Sequence, residues 1–396
     1  MNRINIFAST ILICFSSNAN ALENVVSIGG ISEFQAIYYK SNGSPTQRKF
    51  SENQKNFGFY SSGNLFVNYA LVADNEIKCG AKIGLQQTSR NNRGTPFSLY
   101  VESTLGKLEA GSDRSAGDKM KITGYSSSCG NGNGWDSIII ASPSKDDIAY
   151  VTNFCTFLDA KARTSMKSDY SRKITYYTPK MKLGENHSLQ VGGSYVPDTS
   201  NPGHATINSG ESYTPIGAYP FKFGLKDGIS YGVAYEGKYT SDLSARLSIV
   251  GERAKPVAYD KTTGQRSALK FKELNSYIIG SEINFRDLSV SASYMNQGKS
   301  LIARGDESRA KTSLYAVGAK YTLGKYAASI NYFSSNHNKN KLNTTSLGVD
   351  YNITTGIKAY VSAAHYQTKG SYLDQTILKK DSSKGVIFFL GGKVSF

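Results

Sequence analysis

The chain has 396 residues, a formal net charge of +16 and 39% hydrophobic residues, with a mean hydropathy of −0.37. After residue 21 no run of ~18 apolar residues occurs, which excludes a membrane-spanning helix. Nothing resembles a nucleic-acid-binding module, and the basic excess falls largely in segments that read as solvated loops, such as Arg48-Lys49, Lys339-Asn340-Lys341 and Lys379-Lys380.

The first 21 residues combine a basic start at Arg3, an apolar stretch over 6–15 and the small-residue site Ala19-Asn20-Ala21. That pattern predicts a secretory signal peptide cut after Ala21, which would lower the net charge by one. Cys14 within it is preceded by the bulky Ile13, unlike a lipidation site.

From there the sequence alternates. Candidate strands fall at 25–40, 57–72, 76–89, 97–105, 107–113, 173–182, 188–197, 228–240, 243–254, 271–286, 288–299, 311–324, 326–337, 343–354, 357–370 and 385–396, sixteen in all. In 311–324, Tyr315, Val317, Ala319, Tyr321 and Leu323 share one face and Lys320 and Thr322 the other. The last strand, GVIFFLGGKVSF, places Val386, Phe388, Leu390, Val394 and Phe396 on one face. A soluble edge strand of this kind invites aggregation; it fits a strand whose apolar face meets lipid and whose edges are paired. Tyr 27, Phe 18 and Gly 38 against Pro 9 and Trp 1 suit such a chain, because only every second residue of a membrane barrel need be apolar. The fold class is therefore all-β, a transmembrane antiparallel up-and-down barrel over 22–396, with 25–40 pairing 385–396. Tyr38, Tyr69, Tyr195, Tyr239, Tyr294 and Tyr351 lie where interfacial girdles belong.

Connections alternate between short turns, such as Ser241-Asp242, Asp287 and Gly324-Lys325, and long polar segments. That asymmetry is the one between the periplasmic and outer sides of a barrel. The segment 114–172 is about sixty residues long, far beyond the ~12–15 at which a structureless loop needs a reason. It carries Asp136, Asp146, Asp147 and Asp159 together with Ile138-Ile139-Ile140 and Phe154. The apolar residues favour a segment folded into the barrel over one that merely projects outward. Loop acids facing wall lysines would then set a transverse field across a constriction.

Strand parity assigns the lumen. Basic inward residues are Lys78, Lys82, Lys107, Lys238, Arg246, Lys320, Lys358 and Lys393; acidic ones are Glu33, Glu102, Glu109, Asp113, Glu236, Glu282 and Asp350. The candidate constriction residues are Lys78, Lys82, Glu102, Glu109, Asp113, Asp146 and Asp147. Parity turns Cys79 toward lipid, whereas Cys129 and Cys155 both fall in the long segment, where an oxidising compartment permits a disulfide. Whether the two approach each other is open from sequence. No metal-ligand spacing or Ser/His arrangement accompanies His187, His204, His337 and His365, so neither cofactor nor catalysis is indicated.

Three stretches carry a family resemblance: SLYVESTLGKLEAGSDRSAGDK (98–119), YYTPKMKLGENHSLQVGGSYVPD (176–198) and GVAYEGKYTSDLSARLSIVG (232–251). With the closing Phe396, their order resembles the Gram-negative general porins. The resemblance implies a trimeric, sixteen-stranded outer-membrane barrel with an inserted third loop, passing small hydrophilic solutes and ions by passive diffusion. It also implies outer-membrane lipid, lipopolysaccharide and further copies of the chain as partners. Two other readings stay open: a barrel that acts mainly through surface binding or adhesion, and a substrate-specific channel, for which the inward aromatics Phe66, Tyr100, Phe333 and Tyr360 are too scattered to argue a track.

Overall fold

The computed structural model describes residues 23–42, 56–73, 77–88, 92–93, 96–132, 134–137, 151, 153–154, 156–158, 171–199, 221–260, 265–268, 270–302, 304, 311–337, 339–374 and 377–396. The signal segment with Cys14, and Asp146, Asp147, Cys155 and Asp159 of the long segment, lie outside these residues.

The strands are β1 Glu23–Asn42, β2 Phe57–Val72, β3 Lys78–Thr88, β4 Asn92–Arg93, β5 Phe97–Ser103, β6 Gly106–Ser112, β7 Lys173–Tyr177, β8 Met181–Lys182 and β9 His187–Asp198. They continue as β10 Phe221–Lys238, β11 Leu243–Asp260, β12 Leu274–Phe285, β13 Leu288–Gly298, β14 Thr312–Leu323, β15 Tyr326–His337, β16 Asn340–Thr354, β17 Ile357–Asp374 and β18 Ile377–Ser395. All belong to one 18-stranded sheet. Both β4 and β5 pair with β3, and both β7 and β8 pair with β9. Each couple is thus one interrupted stave, and the 18 segments make 16 staves.

Every neighbouring pair is antiparallel, and β1 closes the barrel against β18 from Ile31↔Ser395 to Asn42↔Lys384. The seam is finished by Gly30 N–H on the Phe396 carbonyl at 2.9 Å and Phe396 N–H on the Gly30 carbonyl at 3.1 Å. Closure of β1 on β18 removes the open edge that the end strands of a sheet would present to another chain. Tight turns join the staves at one end. At Gly324 and Gly356 the backbone takes φ of 57° and 80°, a region where a side chain is strained.

The two faces separate as the alternation requires. Phe34, Phe59, Ile83, Leu99, Val233, Ile279, Ile330, Leu347 and Leu390 stand exposed on the outer face. Tyr38, Tyr69, Tyr195, Tyr239, Tyr294 and Tyr351 are exposed there too. A Lys or Arg on that face at mid-depth would cost ~2–4 kcal/mol; Lys82, Lys107, Arg246, Lys320 and Lys358 take the opposite parity, and outward-parity cations Lys40, Arg253, Lys255, Lys341, Lys369 and Lys384 fall toward the long-loop ends of their strands. Inside, the residues are small and polar or are packed. Ser98, Ser194, Ser230, Ser248, Ser291 and Ser329 are buried, as are Ile278, Leu314, Phe333, Leu342, Ile387 and Phe389. An apolar layer on the inside of a barrel needs a cover, and the segment after β6 supplies it.

Candidate functional site

β6 ends at Ser112, and the chain turns into the lumen. Ser115 caps a single helical turn, α1 Ala116–Met120, its hydroxyl accepting the Asp118 N–H at 3.4 Å. The segment then runs along the inner wall, fastened through its main chain. Ala116 N–H donates to Ser194 Oγ at 2.7 Å, Gly117 N–H to Ser230 Oγ at 3.0 Å and Ile122 N–H to Ser248 Oγ at 2.9 Å. Gly124 N–H donates to Ser293 Oγ at 2.8 Å, Ser127 N–H to Ser291 Oγ at 3.2 Å and Cys129 N–H to Ser329 Oγ at 2.8 Å. Gly130 N–H reaches the Asp350 carboxylate at 2.6 Å, and Asn131 reaches Gln35 Oε1 at 2.7 Å. In sequence order these partners lie on β9, β10, β11, β13, β15, β16 and β1.

The strands between contribute glycines at the same level. Gly280 of β12 is register partner to Ser248 and Ser293, Gly318 of β14 to Ser291 and Asn331, and Gly348 of β16 to Ser329 and Ser362. A Cβ at Gly280, Gly318 or Gly348 would stand 2.0 Å from the Ile122 carbonyl oxygen, 2.3 Å from that of Gly124 and 2.6 Å from that of Cys129. The wall thus offers a belt of hydroxyls separated by gaps in which the segment's backbone fits. Without that belt the segment's N–H groups would be buried unpaired, at a cost of ~1–3 kcal/mol each.

Further along, the segment caps the inner apolar layer. Trp135, tilted, and Phe154, edge-on, pack around Phe333 at ring separations of 5.3 and 6.1 Å, and Tyr125 stacks on it at 6.2 Å. Glu252, buried on β11, accepts the N–H groups of Phe157 at 2.8 Å and Leu158 at 3.0 Å. Leu158 seats among Val196, Leu225, Ala254, Leu274 and Leu301.

The segment covers the β9–β17 side and leaves an opening against β2, β3 and the approach to β5. A cavity of about 500 Å³ there is lined by Phe66, Lys82 and Pro96 from the wall and by Asp113, Arg114, Asp118, Lys119, Lys121 and Thr123 from the segment. Its charges interlock. Lys82 stands 3.9 Å from Asp113, Lys119 bridges Asp113 at 3.0 Å and also Glu109, and Lys107 holds Glu109 at 2.9 Å. Asp118 takes Lys121, Arg114 at 3.6 Å and the Thr156 hydroxyl at 3.2 Å. Burial works to raise the Asp113 carboxyl, but Lys119, the Arg114 N–H and Lys82 outweigh it and hold it below the usual range. Asp118 is likewise held down against its burial by Lys121 and Arg114. Lys119 is held up, its desolvation outweighed by Asp113 and Glu109. All three stay charged at neutral pH.

Of the residues chosen from sequence, Lys82, Glu109 and Asp113 come together here. Lys78 and Glu102 do not. They face each other across β3 and β5 at the short-turn end, away from the cavity. Arg114, Asp118, Lys119 and Lys121 were not among the chosen residues, because parity assigns no face to a residue outside a strand. The Ser115-x-x-Asp118 helix start was the available signal. Cys129 stands as a thiol buried against the β15–β16 wall, and its candidate partner Cys155 lies outside the described residues; burial, with the Asp350 charge, pushes the Cys129 pKa up. Phe333 and Tyr360 lie buried on the inner wall, which removes them from any aromatic track along the lumen, whereas Phe66 does line the opening.

A model of the Gram-negative porin family matches residues 8–371. The chain belongs to that family. It is similar to an uncharacterised protein of Rickettsia conorii, 28% identical over 438 residues and covering 97% of this chain and 98% of the relative. A second uncharacterised protein, of Rickettsia prowazekii, is 27% identical and covers 96% of this chain and 94% of its own. Among solved structures, two engineered variants of Rhodopseudomonas blastica porin align with a TM-score of 0.52 at 13% identity, covering 94% of this chain and 100% of theirs. At that identity the likeness is one of fold: a porin barrel.

Proposed function

We propose that the chain forms a water-filled outer-membrane channel through which small hydrophilic solutes and ions diffuse passively. The observation that carries the reading is the charged cavity of about 500 Å³ left between the wall and the inserted segment. Fixed charges in a narrow, low-dielectric-walled passage order water and sort solutes by charge. The family supports the further expectations of a homotrimer set in lipid and lipopolysaccharide, exported with a cleaved leader.

The test is single-channel recording of the purified protein in a planar bilayer. Stepwise openings grouped in threes support the trimeric channel. A folded barrel that conducts nothing sinks the diffusion reading and leaves the surface-binding one.

A further inference from the structure

The charges around the opening are sorted by depth. The acids sit behind: the side chains of Glu109, Asp113 and Asp118 are 11%, 14% and 12% exposed. The cations sit in front: Lys121 and Lys119 are 21% and 23% exposed, Lys107 33%, Lys82 45% and Arg114 55%. Every cation is more exposed than every acid. Five cations also outnumber three acids, and Lys173, buried behind them, donates from its ammonium to the Asp113 carbonyl oxygen. The carboxylates therefore act mainly as anchors that fix ammonium and guanidinium groups in place, and a passing ion meets the positive side first.

The wall reinforces this arrangement. Lys82 reaches into the opening over the Phe66 ring at 5.7 Å, and Lys107 lies over the Tyr100 ring at 4.7 Å. Aromatic faces hold a cation without adding formal negative charge to the passage. Lys82 and Arg114 line the same cavity from opposite origins, one from β3 and the other from the inserted segment. A guanidinium and an ammonium converging on one hydrated gap suit an oxyanion, which accepts hydrogen bonds from both.

We propose that this opening selects for small anions, carboxylates and phosphates above all, over cations of the same size. The proposal rests on the channel reading. It departs from the sequence expectation of loop acids opposed to wall lysines, because at the opening the more exposed charges of both the wall (Lys82) and the segment (Arg114, Lys119, Lys121) are basic, while the exposed wall acids Glu102 and Glu236 lie outside its lining.

Reversal potential under a potassium chloride gradient tests it, repeated with potassium acetate and potassium phosphate. The expected result is an anion-to-cation permeability ratio of roughly 3 or more in chloride, with acetate and phosphate carrying current. Lys82→Gln with Arg114→Gln should lower the ratio at least about threefold, and Lys78→Gln, placed away from the cavity, should leave it unchanged. Folding of each variant is verified by its heat-dependent shift on a gel, and Lys82→Gln alone serves if the pair does not fold. A conducting channel with a ratio at or below unity overturns the selectivity and leaves the channel reading standing. Absence of any conductance overturns the channel reading itself. A ratio that survives neutralisation of Lys82 and Arg114 would overturn the assignment to these residues.

Discussion

At the residue scale, two kinds of position hold the opening: carboxylates kept charged by neighbours and glycines kept bare by the backbone opposite. Asp113 and Asp118 have their folded pKa below the ordinary aspartate value of 3.8. The unfolded carboxyl binds its proton first as pH falls, so the stabilisation is complete above that value and is lost only as pH drops through the lower folded pKa. Conductance should therefore be flat from neutral pH down to about 4 and change only below it; a transition near pH 6 would contradict the assignment. Gly280 and Gly318 give a second expectation. A methyl group at either collides with a segment carbonyl at 2.0 or 2.3 Å, and neither carbonyl is a flexible side-chain end. Gly280→Ala and Gly318→Ala should displace the segment and alter single-channel conductance while the barrel still folds. Conductance indistinguishable from the parent protein would show that the segment does not set the passage.

At the scale of elements, the inserted segment is held by many main-chain bonds on separate strands, and no single one decides its position. Ser248→Ala, Ser293→Ala and Ser329→Ala combined leave the N–H groups of Ile122, Gly124 and Cys129 unpaired. Each costs ~1–3 kcal/mol, and hydrogen exchange at residues 122–129 should accelerate at least about tenfold while the β-strand amides stay protected. The strands themselves were legible because lipid writes a period of two: β2 falls at 57–72 and β15 at 326–337 as their alternation implies. Departures occur where lipid stops writing it. β10 begins at Phe221 rather than 228, and β18 at Ile377 rather than 385. These extensions pair strand to strand beyond the alternating stretch, so register continues while the hydrophobic signal has faded. The two-residue strand β4, lying between the candidate strands 76–89 and 97–105, and the break that splits β7 from β8 within 173–182, were not visible either. The serine–glycine belt left a trace, small residues recurring at inward parity in mid-strand, but its meaning needs the partner backbone.

At the scale of the molecule, one ring of hydrogen-bonded staves closes on itself, and its seam is the pairing of β1 with β18. Phe396 pairs with Gly30 through both backbone groups, and its ring lies against the space a Gly30 side chain would fill. Phe396→Ala and Gly30→Val attack that seam from opposite sides. Each should lower the temperature at which the folded band disappears in a heated gel, with the valine the worse because it also meets the Asn64 carbonyl at 3.0 Å. An unchanged transition for Gly30→Val would mean the seam contributes nothing to barrel stability. The charge inventory was readable at this scale but its sign at the passage was not. A net of +16 spread over loops says little about a gap, and the parity balance of the walls omitted the segment residues Arg114, Asp118, Lys119 and Lys121, which line it. The manner in which the segment is attached has one more consequence. Between residues 116 and 130 its grip is written largely in peptide groups and wall hydroxyls, with apolar side chains such as Trp135 and Leu158 seating it further along, whereas the charges it shows to the opening sit on the side chains of Arg114, Lys119 and Lys121. The two scripts overlap little at Arg114 and Lys121, so the face presented there can be rewritten with most of the mount left untouched. One frame can then be refitted for a different cargo by changing a handful of letters between positions 113 and 123.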